Sequence, residues 1–183
     1  MQHNQNLKKY LIRPSKECAY IAVYVALLIG VQFAFSFIPG VEFVTLLLVC
    51  YAFVFGSVRG MVCATAFSLL RCFIFGFFPD VIILYLVYYN LLTLGFGLLK
   101  NLTMPKFLFL IIIVATIFTI CFTLLSDVIT PLMYSYSKRA TKAFFVASLS
   151  FMIPQTICTA ISVSILFLPL TKALNLAKRG LLN

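Results

Sequence analysis

Six apolar stretches, separated by short polar connections, follow one another along the chain. The first four cover residues 18–37, 41–58, 60–78 and 81–99. The fifth starts near residue 107 and weakens at 126–131, and the sixth covers residues 143–170. About 20 apolar residues cross a bilayer as one helix, so the first five stretches each predict one transmembrane helix. The last stretch is too long for one plain span, and Pro154 predicts a break that places the final helix at residues 154–171. Residues 143–153 are then an outer segment or a tilted extension.

This pattern predicts an all-α integral membrane protein, a bundle of six transmembrane helices. A single membrane domain covers residues 18–175, between an N-terminal segment, 1–17, and a C-terminal tail, 176–183. The first stretch is longer than the core of a signal peptide and lacks a small-residue cleavage site, which favours a retained helix.

The composition assigns these helices to a membrane rather than to a soluble core. Of the 183 residues, 63% are hydrophobic and 10% are charged, and the mean hydropathy is +1.13. Soluble domains are about 45–50% apolar and about 25% charged, and one domain of this length cannot bury so much apolar surface. A water-soluble enzyme and a nucleic-acid-binding protein are therefore both disfavoured, despite the net charge of +10.

Lysine and arginine residues indicate how the helices are oriented, because short cytoplasmic loops carry an excess of positive charge. With six helices both termini lie on one side, and that side holds ten of the 14 basic residues. These ten are Lys8, Lys9, Arg13, Lys16, Arg59, Lys100, Lys106, Lys172, Lys178 and Arg179. The opposite side holds Lys138, Arg139 and Lys142, which form either a solvated loop or a basic lid over an anionic ligand. We therefore expect both termini to be cytoplasmic.

Charged residues gather in the half of the membrane that this orientation places outside. Arg71 lies within the third predicted helix, about 10 Å from its outer end. Asp127 lies near the outer end of the fifth helix, while Glu42 opens the second and Asp80 the fourth. Ionisable groups are costly in a membrane, so each is a candidate functional residue. A structural ion pair of Arg71 with Asp127 or with Glu42 is an alternative that is compatible with ligand binding.

Two predicted helices add polar stripes in the same half. The stripe on the fourth helix comprises Tyr85, Tyr88, Tyr89, Asn90 and Thr93. The stripe on the last helix comprises Gln155, Thr156, Thr159 and Ser162. Hydrogen bonding between helices explains either stripe alone, and an interfacial aromatic belt is an alternative for the tyrosines. Together with the charge cluster, the stripes favour a pocket that opens to the outside.

The first helix carries small residues at four-residue spacing, Ala22, Ala26 and Gly30. Such a ridge lets a second helix pack closely, either within the chain or in a partner. Metal or cofactor chemistry has little basis, because the six cysteines form no CxxC pair and His3 is the only histidine. We expect no metal, no cofactor and no catalytic residue.

These features resemble the substrate-binding S component of an energy-coupling factor (ECF) transporter. Members of this family are small six-helix bacterial membrane proteins that capture vitamins and related micronutrients. The resemblance covers residues 15–175, with an A-x-x-x-A pattern at Ala22 and Ala26 and a short loop, 36–40, that leads into 41–47. A Phe55–Gly56 turn follows the second helix, and Ile153–Pro154 opens the last one.

The resemblance implies a binding subunit without chemistry of its own in the bacterial plasma membrane. An S component binds its ligand in an outward-facing pocket and topples while docked on a transmembrane coupling subunit driven by two ATPases. Ala22, Ala26 and Gly30 would contact the coupling subunit. The positions that match the family's pocket are candidate substrate-binding residues: Phe37, Pro39, Tyr85, Tyr89, Asn90, Asp127, Gln155 and Thr159. The charge argument adds Arg71. The chain has no G-x-x-x-x-G-K-[ST] motif, so ATP would be hydrolysed by the partners.

The resemblance leaves the ligand open. Related members often carry Asp, His and Asn on the final helix, where this chain has Gln155, Thr159 and Ser162. A corrinoid, another vitamin and a modified base are all candidates. Two other functions stay open at this point: a structural or accessory membrane subunit, and a lipid-modifying intramembrane enzyme that uses Arg71, Asp127 and Glu42.

Overall fold

Every regular element is a helix in the computed structural model, which describes residues 14–38, 40, 42–101 and 107–182. The helices are α1 (Pro14–Phe35), α2 (Phe43–Phe55), α3 (Ser57–Leu70), α4 (Cys72–Phe75), α5 (Pro79–Leu98), α6 (Leu108–Met133) and α7 (Lys138–Leu182). One 3₁₀ turn, Leu99–Asn101, follows α5.

Five helical segments are long and apolar enough to cross a membrane: α1, α3 together with α4, α5, α6 and α7. Large apolar side chains on their outer faces point away from the bundle, and Phe73 is 86% exposed, Leu132 76% and Val23 70%. Monomeric soluble proteins rarely expose apolar patches of this extent. The helices therefore fit a multi-pass membrane protein, in agreement with the sequence pattern.

Helix α2 occupies the centre of the bundle. Its 13 residues rise about 20 Å, less than the roughly 30 Å of a hydrocarbon core. All of its residues from Val44 to Phe55 are buried, and it contacts α1, α3, α5, α6 and α7. A helix that is hydrophobic all round is stable where other elements surround it, and here the other helices replace lipid.

The last helix is continuous, so the predicted break at Pro154 is wrong. Helix α7 runs for 45 residues through both Pro154 and Pro169, a rise of about 68 Å. Each proline lacks a backbone N–H and removes one helical hydrogen bond. Membrane helices tolerate this because neighbouring helices and polar side chains satisfy the freed carbonyl groups. Residues 138–153 are thus a direct extension of the final helix.

The beginning of α1 and the last turns of α7 lie at the same end of the bundle, the basic end, which holds Arg59, Lys100 and Lys178. Arg59 Nε donates to Glu17 Oε1 at 2.6 Å, the one ion pair within the described ranges. Lys178 Nζ donates to the Val54 carbonyl oxygen at 2.8 Å. These contacts join α1 to α3 and α7 to α2.

Candidate functional site

Arg71 lies at the junction of α3 and α4, where the third predicted helix is briefly irregular. Its backbone stays helical, with φ −59° and ψ −27°, and its N–H donates to the Phe67 carbonyl oxygen at 3.0 Å. The helix ends at Gly76, whose φ of +94° is readily adopted by glycine and rarely by other residues. The helix therefore stops short of residue 78, and Arg71 lies one turn from its end.

The guanidinium group of Arg71 points into a cavity of about 300 Å³ and is held there by neutral side chains. Arg71 is only 8% exposed. Its Nε donates to Gln32 Oε1 on α1 at 3.2 Å, and its Cζ lies 4.3 Å from the centre of the Tyr85 ring and 5.0 Å from that of Phe75. Cation–π contacts of this kind orient a cation without neutralising its charge.

This Arg71 cavity lies at the end of the bundle opposite the basic end, between α1, α2, the α3–α4 junction and α5. Gln32 Nε2 donates to the Tyr85 hydroxyl at 3.1 Å, and Glu42 Oε2 accepts from Thr45 Oγ1 at 3.1 Å. The residues that line it are Val31, Gln32, Phe35, Ser36, Ile38, Gly40, Glu42, Phe43, Val44, Arg71, Phe75, Tyr85 and Tyr89. Aromatic rings and a few polar groups thus surround one buried cation.

Arg71 forms no ion pair with a carboxylate in the described part of the chain. The ion pairs considered from the sequence, Arg71–Asp127 and Arg71–Glu42, are both absent, although Glu42 lines the same cavity. A buried charge without a partner is strongly destabilising. An anionic group bound at Arg71 would supply the missing partner, in a cavity that Glu42 also lines.

The predicted substrate-binding residues divide between two cavities. Arg71, Tyr85 and Tyr89 line the Arg71 cavity. Asp127 and Gln155 line a second cavity, between α6 and α7. The single pocket expected from the sequence is therefore two adjacent cavities, one lined by both Arg71 and Glu42 and the other by Asp127.

Three of the predicted residues line neither cavity. Phe37 is 80% exposed on the loop after α1. Asn90 accepts a hydrogen bond from Thr65 at 3.1 Å, which connects α5 to α3. Thr159 accepts one from Thr119 at 3.2 Å, which connects α7 to α6. For Asn90 and Thr159 the structure thus shows hydrogen bonding between helices.

Gly40, between α1 and α2, lines the Arg71 cavity and packs against α7. Gly40 has φ +81°, and a Cβ atom there would lie 3.1 Å from Pro154 Cβ and 3.3 Å from the Gln155 backbone nitrogen. This close approach requires glycine. Pro39, the other loop residue predicted to bind substrate, lies outside the described residues.

Gln32 is a residue of the site that the sequence prediction missed. Its amide accepts from Arg71 and donates to Tyr85, so it fixes both side chains. The available signal was an amide within the otherwise apolar first stretch, because one polar residue on such a helix indicates contact with protein or a cavity.

The small residues of α1 face away from the rest of the chain. Ala22, Ala26 and Gly30 are exposed, and a Cβ atom at Gly30 would meet nothing within 4 Å. Within the described residues this face has no internal partner, so packing within the chain does not account for it.

In the described ranges, no three His, Cys, Asp or Glu side chains are grouped as metal ligands would be. No protein-family model, curated protein or solved structure matches this chain. Function is therefore inferred from the cavities and surfaces themselves.

Proposed function

We propose that this protein is the substrate-binding subunit of an ECF-type ABC importer in a bacterial plasma membrane. It captures a vitamin or related micronutrient from outside the cell. The chain crosses the membrane six times, with α2 as a short central crossing and both termini in the cytoplasm. It catalyses no reaction, and ATP is hydrolysed by two partner ATPases.

The buried guanidinium of Arg71, which forms no ion pair within the described residues, is the observation that carries this proposal. In a merely structural subunit, an intramembrane arginine would be paired with a carboxylate of the chain, because the desolvation of its charge needs compensation. Arg71 instead faces an open volume that Glu42 also lines, and its direct side-chain contacts are with three neutral residues, Gln32, Tyr85 and Phe75. A ligand carboxylate or phosphate supplies the missing negative charge through charge-assisted hydrogen bonds.

The size and lining of the cavity indicate what kind of molecule it takes. A volume of about 300 Å³ is at the small end of ordinary ligand sites, which are mostly apolar with a few placed polar groups. Phe75 and the rings of Tyr85 and Tyr89 offer apolar and aromatic faces, and Glu42 and Gln32 offer hydrogen-bonding groups. The expected ligand is a small anion with an apolar or ring-shaped body.

The basic end fits the cytoplasmic side in this proposal, and the Arg71 cavity then opens to the outside. Arg59, Lys100 and Lys178 follow the positive-inside rule at that end. The ligand would reach the cytoplasm when the whole subunit topples on the coupling subunit, so the fold needs no channel of its own.

The exposed small-residue face of α1 is the proposed contact with the coupling subunit. We expect Ala26→Trp to lower recovery of the coupling subunit with the tagged chain by about tenfold or more, because a bulky ring prevents close helix packing. Pull-down from membranes that contain the coupling subunit and both ATPases measures this effect.

Ala143→Trp is the control for Ala26→Trp, because Ala143 is an exposed alanine on the extension of α7, away from α1. It should leave recovery unchanged, and both variants should keep wild-type ligand content. Equal recovery from Ala26→Trp and wild type contradicts the docking assignment.

A further inference from the structure

The second cavity is lined by one charged residue, Asp127. It has a volume of about 260 Å³, lies between α6 and α7, and is lined by Asp127, Thr123 and three phenylalanines, Phe122, Phe144 and Phe151, among others. No lysine or arginine lines it. The cavity is thus an apolar, aromatic space with one carboxylate in its wall.

Asp127 is buried, and one of its two carboxylate oxygens has no hydrogen-bond partner in the described part of the chain. It is 7% exposed, and its Oδ2 accepts from Ser148 Oγ at 2.6 Å. Its Oδ1 and the hydroxyl of Thr123 are buried and have no hydrogen-bond partner in the described part of the chain. Native proteins leave few buried polar atoms in this state, and a cation in the cavity would compensate the charge of the Asp127 carboxylate.

Asp80 shows what a carboxylate with a purely structural role looks like in the same fold. It is buried to a similar degree, at 8% exposed. Thr130 Oγ1 donates to its Oδ2 at 3.1 Å and the Tyr134 hydroxyl donates to its Oδ1 at 3.2 Å. Both oxygens are therefore occupied, in contrast to Asp127.

An aromatic wall separates Asp127 from Arg71. Phe122, which lines the second cavity, lies 5.8 Å from Tyr85 and 6.4 Å from Tyr89 between ring centres, and both tyrosines line the Arg71 cavity. The two buried charges therefore remain unpaired on opposite sides of one layer of rings.

We propose that the Asp127 cavity binds an organic ammonium group. A carboxylate supplies the countercharge, and phenylalanine faces attract a cation through their π electrons, which is how proteins recognise alkylated ammonium groups. The volume suits an organic group better than a bare metal ion, which would need several more oxygen ligands. This site goes beyond the proposed anion capture and does not depend on it. Its ammonium group comes either from a free small amine or from a lipid headgroup.

Binding of radiolabelled tetramethylammonium to the full-length protein in dodecyl maltoside tests the free-amine source. We expect Asp127→Asn to weaken binding by about tenfold or more, because the amide keeps the shape but loses the charge. Asp80→Asn is the matched control and should bind as wild type. Phe151→Leu should weaken binding by about threefold, while Phe109→Leu, an exposed phenylalanine near the start of α6, should not.

Nanodiscs that mix phosphatidylethanolamine with phosphatidylglycerol test the lipid source by native mass spectrometry. Preferential retention of phosphatidylethanolamine that is lost in Asp127→Asn and kept in Asp80→Asn also supports the site. The proposal is overturned if neither probe shows binding that depends on Asp127. If Asp127→Asn does not fold, the two phenylalanine variants decide, and equal binding by both overturns it. Arg71-dependent ligand binding that survives such a result would leave the proposed function standing.

Discussion

Replacing Arg71 by glutamine is expected to weaken binding of the captured ligand by about 30- to 150-fold, a loss of about 2–3 kcal/mol. Glutamine keeps a polar side chain of moderate length but removes the positive charge. The variant loses the charge-assisted hydrogen bonds to the ligand and both cation–π contacts that orient the group, those with Tyr85 and Phe75. Equilibrium titration with the compound that copurifies with the wild type measures the change.

Arg59→Gln is the control for this experiment. Arg59 is also a helical arginine, but it pairs with Glu17 at the basic end and lines no part of the Arg71 cavity. Its replacement should change ligand affinity by less than about twofold, since this partly buried ion pair lies at the opposite end of the bundle from the Arg71 cavity. Equal losses in the two variants would mean that Arg71 acts through general stability rather than through contact with the ligand.

Gly97→Ala is expected to destabilise the protein by about 3 kcal/mol, because overpacking displaces neighbouring backbone. A Cβ atom at Gly97 would collide with the backbone nitrogen and Cα of Ser57, where α3 begins beside the end of α5. Both contacts are to backbone, so no side chain can rotate out of the way. Helix loss during denaturant titration, followed by circular dichroism in detergent, measures the effect.

Gly95→Ala provides the matched comparison two residues earlier in α5. A Cβ atom there would lie 3.4 Å from the nearest atom, Cζ of Phe118, which is an ordinary contact. Alanine is the better helix former, so this variant should be neutral or more stable by up to about 1 kcal/mol. A Gly97→Ala variant as stable as Gly95→Ala would contradict the close approach of α3 and α5.

The lengths of the apolar stretches predicted five long helices, because a membrane span requires a long apolar run. The second stretch, 41–58, forms only the 13-residue α2. The same argument overestimated the effect of Pro154. A proline removes a hydrogen bond, but it ends a helix only where no neighbouring group compensates. Nothing in the sequence shows which carbonyl groups will find other partners, so the continuity of α7 could not be predicted.

The sequence predicted how deep in the membrane the candidate site residues lie. It did not predict which way their side chains point around the axis of the bundle. Position along a helix placed Arg71, Tyr85 and Asp127 in the same half of the membrane, and in the structure they line two adjacent cavities. Each side chain faces one side or the other of the layer of aromatic rings, depending on how its helix is rotated and packed. The polar stripes in the sequence did not determine the rotation or the packing. For that reason the sequence indicated one pocket where Tyr85 and Phe122 separate two.

The most direct test of the proposed function is mass spectrometry of the small molecules that remain bound to the purified wild-type protein. We predict one compound that carries a carboxylate or phosphate group, at close to one molecule per chain, and its absence from Arg71→Gln purified in the same way. Recovery of no small anion from the wild type, or of equal amounts from both proteins, would contradict capture of a ligand by the Arg71 cavity.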